Sequence, residues 1–218
     1  MKVLELFSGT RSIGRAFEAR GHEVYSIDYC DSFEADSHED IGVVGVSDVV
    51  DAFGMPDVIW ASPDCTTYSV AALGHHRKRD PATGWLMPIT DYAKICDCVN
   101  QHLMRLIAAL NPEFFFVENP RACMRRMPWM GGVPRYTVTY CQYGYRYMKP
   151  TDIWTNHPDP QFKPPCKAGD PCHEAAPRGS RHGLQGVKGS ADRGRIPEEL
   201  CEHVVDICER WHRPRSLF

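Results

Sequence analysis

Long apolar runs are absent from the 218 residues. No stretch approaches the roughly 20 apolar residues that a membrane helix needs, so the expectation is a chain with no spanning helix and no membrane partner. The opening, MKVLELFSGTRSIG, is too polar and too rich in glycine for a secretory signal. Without a signal, the ten cysteines read as reduced thiols in a cytoplasmic compartment rather than as a disulfide scaffold. No internal repeat is visible. Acidic residues are missing between Arg121 and Lys149, where six basic ones stand.

Hydrophobic residues make up 43% of the chain and charged ones 24%, which excludes a disordered or fibrous protein and permits a sizeable core. The net charge of −3 is unevenly spread. Residues 1–64 carry 13 acidic and 4 basic side chains, residues 65–149 carry 5 acidic and 11 basic, and residues 150–218 carry 10 of each. A polyanion would be drawn to the middle of the chain and repelled by its start. A solvated basic face gives the same count, and charge alone does not separate the two.

Apolar periodicity predicts a strand over Val3 to Phe7, a small-residue turn at Ser8-Gly9-Thr10, a helix over Ser12 to Arg20 and a second strand over His22 to Ile27, tipped by Asp28. Val43 to Val50 is mixed. A further strand, Asp57 to Ala61, runs into the polar loop Ser62-Pro63-Asp64-Cys65. Residues 70–90, with the run His75-His76-Arg77-Lys78-Arg79, read as a mobile basic loop. A long helix is expected over Tyr92 to Leu110, burying Ile95, Val99, Leu103, Leu106 and Ile107. Phe114 to Val117 is apolar throughout, as a central parallel strand is, with Glu118-Asn119-Pro120 at its end. Tyr136 to Cys141 and Asp152 to Thr155 are candidates for two paired strands. Gln161 to Gly194 shows no period, and Pro197 to Trp211 is a closing helix with Leu200, Val204 and Ile207 inward. Strands alternating with helices imply an α/β fold around a mostly parallel sheet.

In such sheets ligands lie beyond the carboxyl ends of the strands. Phe7-Ser8-Gly9, Asp28, Ser62 to Cys65 and Glu118-Asn119 all fall at those ends and would converge on one edge. Gly9 lets backbone approach a ligand closely, and Asp28 is placed to accept both hydroxyls of a ribose. The pair suits an adenosine cofactor without separating a nicotinamide dinucleotide from S-adenosylmethionine. The full G-x-G-x-x-G spacing is lacking, since the turn reads Gly9-Thr10-Arg11-Ser12-Ile13-Gly14. Cys65 is expected to expose an ionisable thiol, opposed by the neighbouring anion of Asp64. Glu118, at the end of a buried strand, is costly unless paired, which would favour its protonated form.

These residues carry a resemblance to the cytosine-C5 DNA methyltransferases, and among them to small phage-type members. Glu5-Leu6-Phe7-Ser8-Gly9-Thr10-Arg11-Ser12-Ile13-Gly14 resembles the family's D-L-F-x-G-x-G-G opening. Ser62-Pro63-Asp64-Cys65-Thr66-Thr67-Tyr68-Ser69 resembles its G-P-P-C-Q-x-F-S nucleophile loop, and Phe116-Val117-Glu118-Asn119-Pro120 its E-N-V segment. Tyr143-Gly144-Tyr145-Arg146-Tyr147-Met148-Lys149 stands where the family has Y-G-x-P-Q-x-R, and Arg195-Ile196-Pro197-Glu198-Glu199-Leu200 resembles its last motif. The matches follow family order over nearly the whole chain.

The resemblance implies a single Rossmann-like methyltransferase domain. Its S-adenosylmethionine-binding catalytic core would span 1–160 and its closing helix 195–218, with an irregular basic insertion over 161–194. It implies Cys65, Glu118 and Lys149 as catalytic residues. Phe7, Ser8, Gly9, Thr10, Arg11, Ser12, Asp28, Tyr29, Asp40, Ile41, Ser62 and Pro63 would hold S-adenosylmethionine, with Tyr29 against the adenine. Ser69, His76, Arg77, Lys78, Arg79, Arg121, Arg125 and Arg126 would contact DNA, the partner expected in a bacterial or phage-infected cytoplasm.

The sequence departs from the family at Asp64 and Thr66, which flank the nucleophile, and at Lys149 and Thr151, where arginines are usual. It also lacks the long target-recognition domain, which implies a short target of about two to four bases or a dimer mate or partner protein that supplies the readout. Two alternatives stay open: the same chemistry on RNA or a free cytidine nucleotide, and a catalytically weakened nucleic-acid-binding relative. Cys166, Cys172, His173 and His182 offer four ligands for a structural zinc. Their C-x5-C-H-x8-H spacing and the adjacent Cys172-His173 pair favour a solvated loop, so no metal is expected.

Overall fold

Short apolar strands and amphipathic helices alternate along the first half of the chain. The computed structural model describes residues 1–213. In order the elements are β1 (Lys2–Leu6), α1 (Ser12–Ala19), β2 (Glu23–Ile27), α2 (Val46–Ala52), β3 (Val58–Ala61), α3 (Leu73–His76), β4 (Arg77–Arg79), β5 (Leu86–Pro88), α4 (Asp91–Leu110), β6 (Phe114–Pro120), β7 (Arg135–Thr139), β8 (Pro150–Thr155), α5 (Ser190–Gly194) and α6 (Glu198–Trp211). Residues 214–218, the end of the expected closing segment, lie outside the described residues.

Six strands form one sheet in the order β2-β1-β3-β6-β8-β7. The first four are mutually parallel, with Leu4 opposite Ile59 and Ile59 opposite Phe115, while β8 runs antiparallel to both β6 and β7. The period of two in strand side chains sorts the core into two layers. Val3, Val58, Trp60, Phe114 and Phe116 face α1 and α6, where Ile13, Phe17, Leu200, Val204 and Ile207 meet them. Leu4, Leu6, Ile59, Ala61 and Val117 face the opposite side, against Val49, Leu103, Leu106, Ile107 and Leu110. Each of the Val, Leu, Ile and Phe side chains among them, fully buried, contributes about 1.5–3 kcal/mol. This is a mixed, mostly parallel α/β sheet covered on both faces, as the sequence implied.

Three local readings need correction, and the irregular reading of 161–194 holds up to α5. The long helix begins at Asp91 behind a Thr90 cap that accepts the Ala93 amide, but Ile95 is 58% exposed and Val99 only partly buried. The inward face instead carries Ala93, Cys96, Asp97 and Asn100 before it reaches Leu103. Residues 73–88 are not a loose loop: they form α3 and the β4–β5 hairpin, with Arg77 paired to Pro88. Val46–Ala52 is a helix, because Asp48 accepts the Gly45 amide and caps its start. The stretch 161–194 lacks regular structure before α5, yet it is tied to the core by backbone. The Lys163 amide donates to the Tyr143 hydroxyl, the Glu174 amide to the Arg146 carbonyl and the Gly183 amide to the Met148 carbonyl.

The polar face of α4 explains the first two corrections together. The Tyr68 hydroxyl donates to Asp97 at 2.6 Å and accepts from Asn100 at 2.9 Å. Arg77 reaches both Asp97 oxygens at 3.0 and 2.6 Å, donates to the Thr67 carbonyl and hydroxyl, and lies 4.3 Å over the Tyr68 ring. Arg77, read from sequence as a DNA contact, is therefore a buried structural cation. Removing one member of a buried pair leaves an uncompensated charge and costs about 3–5 kcal/mol. Arg77→Met is expected to lower the urea midpoint by that amount of stability, and the double variant Arg77→Met/Asp97→Leu to recover part of it. Equal losses in the single and double variants would show that the pair does not anchor this region.

Candidate active site

The parallel strands β1, β2, β3 and β6 end on the same edge of the sheet, and antiparallel β8 begins there. The turn after β1 is sharply folded: Phe7, Gly9 and Arg11 hold φ of 54°, 49° and 52°. A left-handed bulky residue such as Phe7 is strained, and such strain concentrates at functional turns. Asp28 fixes this turn: one carboxylate oxygen accepts the Gly9 amide at 2.8 Å, the other the Cys30 amide at 2.9 Å.

Beneath the turn, Glu5 is buried among α1 residues and its carboxyl is raised to about 7, chiefly by burial; the Gly14 amide, the Arg11 charge and the Ile13 amide counter this in part. A Cβ on Gly14 would stand 2.5 Å from the Glu5 Oε2, so glycine there makes room for the carboxyl. The sequence reading passed over Glu5; its signal is an acid at an otherwise apolar position of a central strand.

Several features fit an adenosine cofactor at this turn. The Ser8 hydroxyl is buried and has no partner among the described residues, and the space where a Gly9 Cβ would point is open. Tyr29 is 69% exposed and Ile41 fully buried. Asp40 is exposed and accepts the Gly42 amide. Thr10 and Ser12 bond each other and line a cleft of about 600 Å³ that continues to Tyr145 and Arg195. Arg11 is different: its guanidinium is buried and turned to Glu18, Glu34 and Asp36. Ser62 accepts the Trp60 indole N–H, and the Pro63 carbonyl accepts Asn119 Nδ2 at 3.0 Å.

Cys65 lies in the loop after β3 and is partly buried rather than freely exposed. Its carbonyl accepts the amides of Tyr68 and Ser69. Asp64 accepts the Thr66 amide at 2.7 Å and the Tyr92 hydroxyl, pinning the loop to α4. Burial pushes the Cys65 thiol up to about 11; the Lys149 ammonium pulls it down, while the charges of Glu118 and Asp64 push it up. The neighbouring anion thus acts as the sequence implied.

Glu118 is buried but not isolated. The Tyr140 hydroxyl donates to its Oε1 at 2.9 Å, and Lys149 Nζ is 3.8 Å from the same oxygen. Burial and the Glu118 charge raise the Tyr140 phenol well above its ordinary range, which keeps it a donor. Lys149 also lies 4.4 Å over the Tyr140 ring and donates to the Arg193 carbonyl at 3.0 Å. Cys65, Glu118 and Lys149 form one electrostatic group, and Tyr140 is a member that sequence reading missed.

The basic residues divide into two sets. Lys78, Arg79, Arg121 and Arg126 are exposed. His76 is partly buried against Thr90 and Ser69 bonds the Thr66 carbonyl. Arg77 is buried in its pair with Asp97, and Arg125 is partly buried and held by an acid. Arg125 donates to both carboxylate oxygens of Asp152, a fully buried acid on β8, and to Thr137. Around the Cys65 loop, Val70, Trp85, Met87 and Ile89 expose apolar surface.

No family model matches the chain. A protein of Frog virus 3 (isolate Goorha) named "Probable DNA (cytosine-5)-methyltransferase" is 30% identical over 227 residues, covering 95% of this chain and 100% of that protein. Among solved structures, a candidate DNA modification methyltransferase encoded within an E. coli prophage aligns with a TM-score of 0.51 at 14% identity, covering 71% of this chain and 46% of that one. The Entamoeba histolytica methyltransferase aligns with a TM-score of 0.51 at 12% identity, over 71% of this chain and 52% of its own. These two share the fold, and this chain spans about half their length.

With its thiol near 11, Cys65 is expected to react with iodoacetamide at a rate rising about tenfold per pH unit between about pH 8 and about pH 10, as its thiolate fraction grows. Lys149→Met should slow it further at every pH. Peptide-mapped mass spectrometry measures this; a plateau already reached below pH 8 would contradict the assigned environment.

Proposed function

Because the chain belongs to the DNA (cytosine-5)-methyltransferase family, we propose that it methylates C5 of cytosine in DNA through a covalent bond between Cys65 and C6. The observation that carries this reading is the grouping of a thiol, a buried carboxyl and an ammonium at one sheet edge, beside a turn suited to an adenosine cofactor. Cytosine C5 is a poor nucleophile. Addition of the Cys65 sulfur to C6 makes C5 enamine-like, and Glu118 favours the addition by hydrogen-bonding N3. S-adenosylmethionine, when bound, supplies the electrophilic methyl group that C5 accepts. Transfer of the C5 proton to solvent water and expulsion of Cys65 as a thiolate, which takes a proton back, then restore the aromatic ring.

The resting thiol is held protonated by burial, so Cys65 passes its proton to solvent water as it attacks. Lys149, within reach of Glu118 and acting on Cys65, stabilises the anion that develops. A lysine supplies a point charge here, without the planar fork of an arginine. Addition to C6 comes from the face of the base, so the base must leave the helical stack. Trp85, Met87 and Ile89 on the hairpin offer apolar surface beside the opening, and Lys78, Arg79, Arg121 and Arg126 offer phosphate contacts. The acidic start of the chain suits a cationic cofactor and the basic middle a polyanion. The order of the family motifs supports reading residues 161–194 as the counterpart of the family's recognition domain.

Cys65→Ser is expected to abolish methyl transfer to duplex DNA while the thermal transition stays in place. Wild-type protein should form a denaturation-resistant adduct with a 5-fluorocytosine duplex that the variant does not form. RNA and dCMP are assayed as competing acceptors; preference for either would move the substrate away from DNA, and methylation by the Ser variant would remove Cys65 from the mechanism.

Asp28→Ala is expected to weaken S-adenosylmethionine binding by about 1–3 kcal/mol, through lost charge-assisted hydrogen bonds to the ribose and a loosened Gly9 turn. Titration calorimetry tests this, and unchanged affinity would put the cofactor elsewhere.

A further inference from the structure

Four ligand atoms, one from Cys141 just past β7 and three from the 161–194 segment, meet at the far end of β7. The sulfurs of Cys141, Cys166 and Cys172 and a ring nitrogen of His173 all lie within 4.8 Å of one another. We propose that these four residues bind a structural zinc ion, as three thiolates and one imidazole, which fastens the 161–194 segment to the catalytic core.

The geometry is near that of a tetrahedral site. Zinc–sulfur bonds of about 2.3 Å and a zinc–nitrogen bond of about 2.0 Å require S···S edges of about 3.8 Å and S···N edges of about 3.5 Å. Cys141 and Cys172 sulfurs are 3.8 Å apart, and His173 Nδ1 is 3.7 Å from Cys166 and 3.5 Å from Cys172. Cys141 and Cys166, at 3.0 Å, must open by about 0.8 Å to reach the tetrahedral edge, and are well beyond the roughly 2.05 Å of a disulfide. The adjacent Cys172-His173 pair, awkward as a chelate on sequence grounds, directs both donors to one point. His182 is not among the four, and Cys141 takes its place.

The surroundings are those of a ligand shell. Gln142 Nε2 donates to the Cys172 sulfur at 3.3 Å, and the Cys166 amide to the Thr139 hydroxyl at 3.0 Å. Nδ1 ligation leaves the proton on His173 Nε2, so the 3.4 Å approach of the Gly169 amide opens when the ion binds. Binding releases the three thiol protons and leaves the site with one net negative charge, near Lys163, whose Nζ bonds the Gln142 carbonyl.

The segment also needs such a fastening. Among the described residues, Ala176 is its sole buried hydrophobic side chain. An apolar core therefore does little to hold it, the situation in which a metal supplies folding energy. Cys141 follows Tyr140, the donor to Glu118, and the tethered stretch supplies the Arg193 carbonyl to Lys149.

The full chain, purified under reducing conditions and desalted, is expected to retain about one zinc per molecule by mass spectrometry of the metal. X-ray absorption should give three sulfurs and one nitrogen, and cobalt substitution should give thiolate charge-transfer bands with the intense d–d bands of a tetrahedral site. Cys166→Ser and Cys172→Ser should each lose the ion, and Cys98→Ser on α4 should keep it. Chelation should lower Tm by roughly 5–10 °C. Wild-type protein without zinc, zinc retained by both Ser variants, an octahedral cobalt spectrum, or a Cys141–Cys166 disulfide in the reduced preparation would each overturn the proposal. Wild-type stoichiometry and ligand count decide it even if the variants fail to fold.

Discussion

The ion pair between Arg77 and Asp97 is the constraint from which the active edge is built. It joins three pieces of chain that no strand pairing connects: the Cys65 loop through Thr67 and Tyr68, the β4–β5 hairpin through Arg77 itself, and α4 through Asp97. In the low dielectric of the interior its hydrogen bonds are strong, and each is costly to leave unmade. The Tyr68 carbonyl also accepts the Cys123 amide, so the 3-10 turns after β6 are carried by the same anchor. The Cys65 loop acquires a fixed position from a network lying behind it.

In front of that loop the electrostatics work in the opposite sense. Burial disfavours the Cys65 thiolate, and Lys149 is drawn towards Glu118, which takes up part of its charge. The site at rest is therefore chemically quiet, with a protonated thiol that is slow to react with adventitious electrophiles. The carboxyl and the ammonium hold each other because neither is exposed to competing solvent.

The sheet and its edge were legible in the sequence because strand faces alternate and apolar runs such as Phe114 to Val117 admit few other readings. The family motifs marked Cys65 and Glu118 at once. Arg77 and Arg125 were misread because composition reports the sign of a charge and not its partner. Their carboxylates, Asp97 and Asp152, stand 20 and 27 residues away. The inward face of α4 was misassigned because the usual rule sends apolar residues inward, and here Asp97 and Asn100 are buried to serve Tyr68. Cys141 was invisible beside Cys166 for a related reason: only the antiparallel return of β7 and β8 and the tethering of 161–194 bring them together.

The contact between Gly14 and Glu5 changes how the first turn is to be read. A glycine five residues after Gly9 resembles the remnant of a phosphate-binding fingerprint, yet the room at Gly14 is used from below, by a carboxyl of the chain itself. Position 14 is therefore governed by the length of the acid at position 5 rather than by the space above the turn. A shorter acid would withdraw by one methylene and relax the demand for glycine, while any larger residue at 14 would force the carboxyl out of its berth. The two positions are sterically coupled, and the first turn rests on a carboxyl buried beneath it.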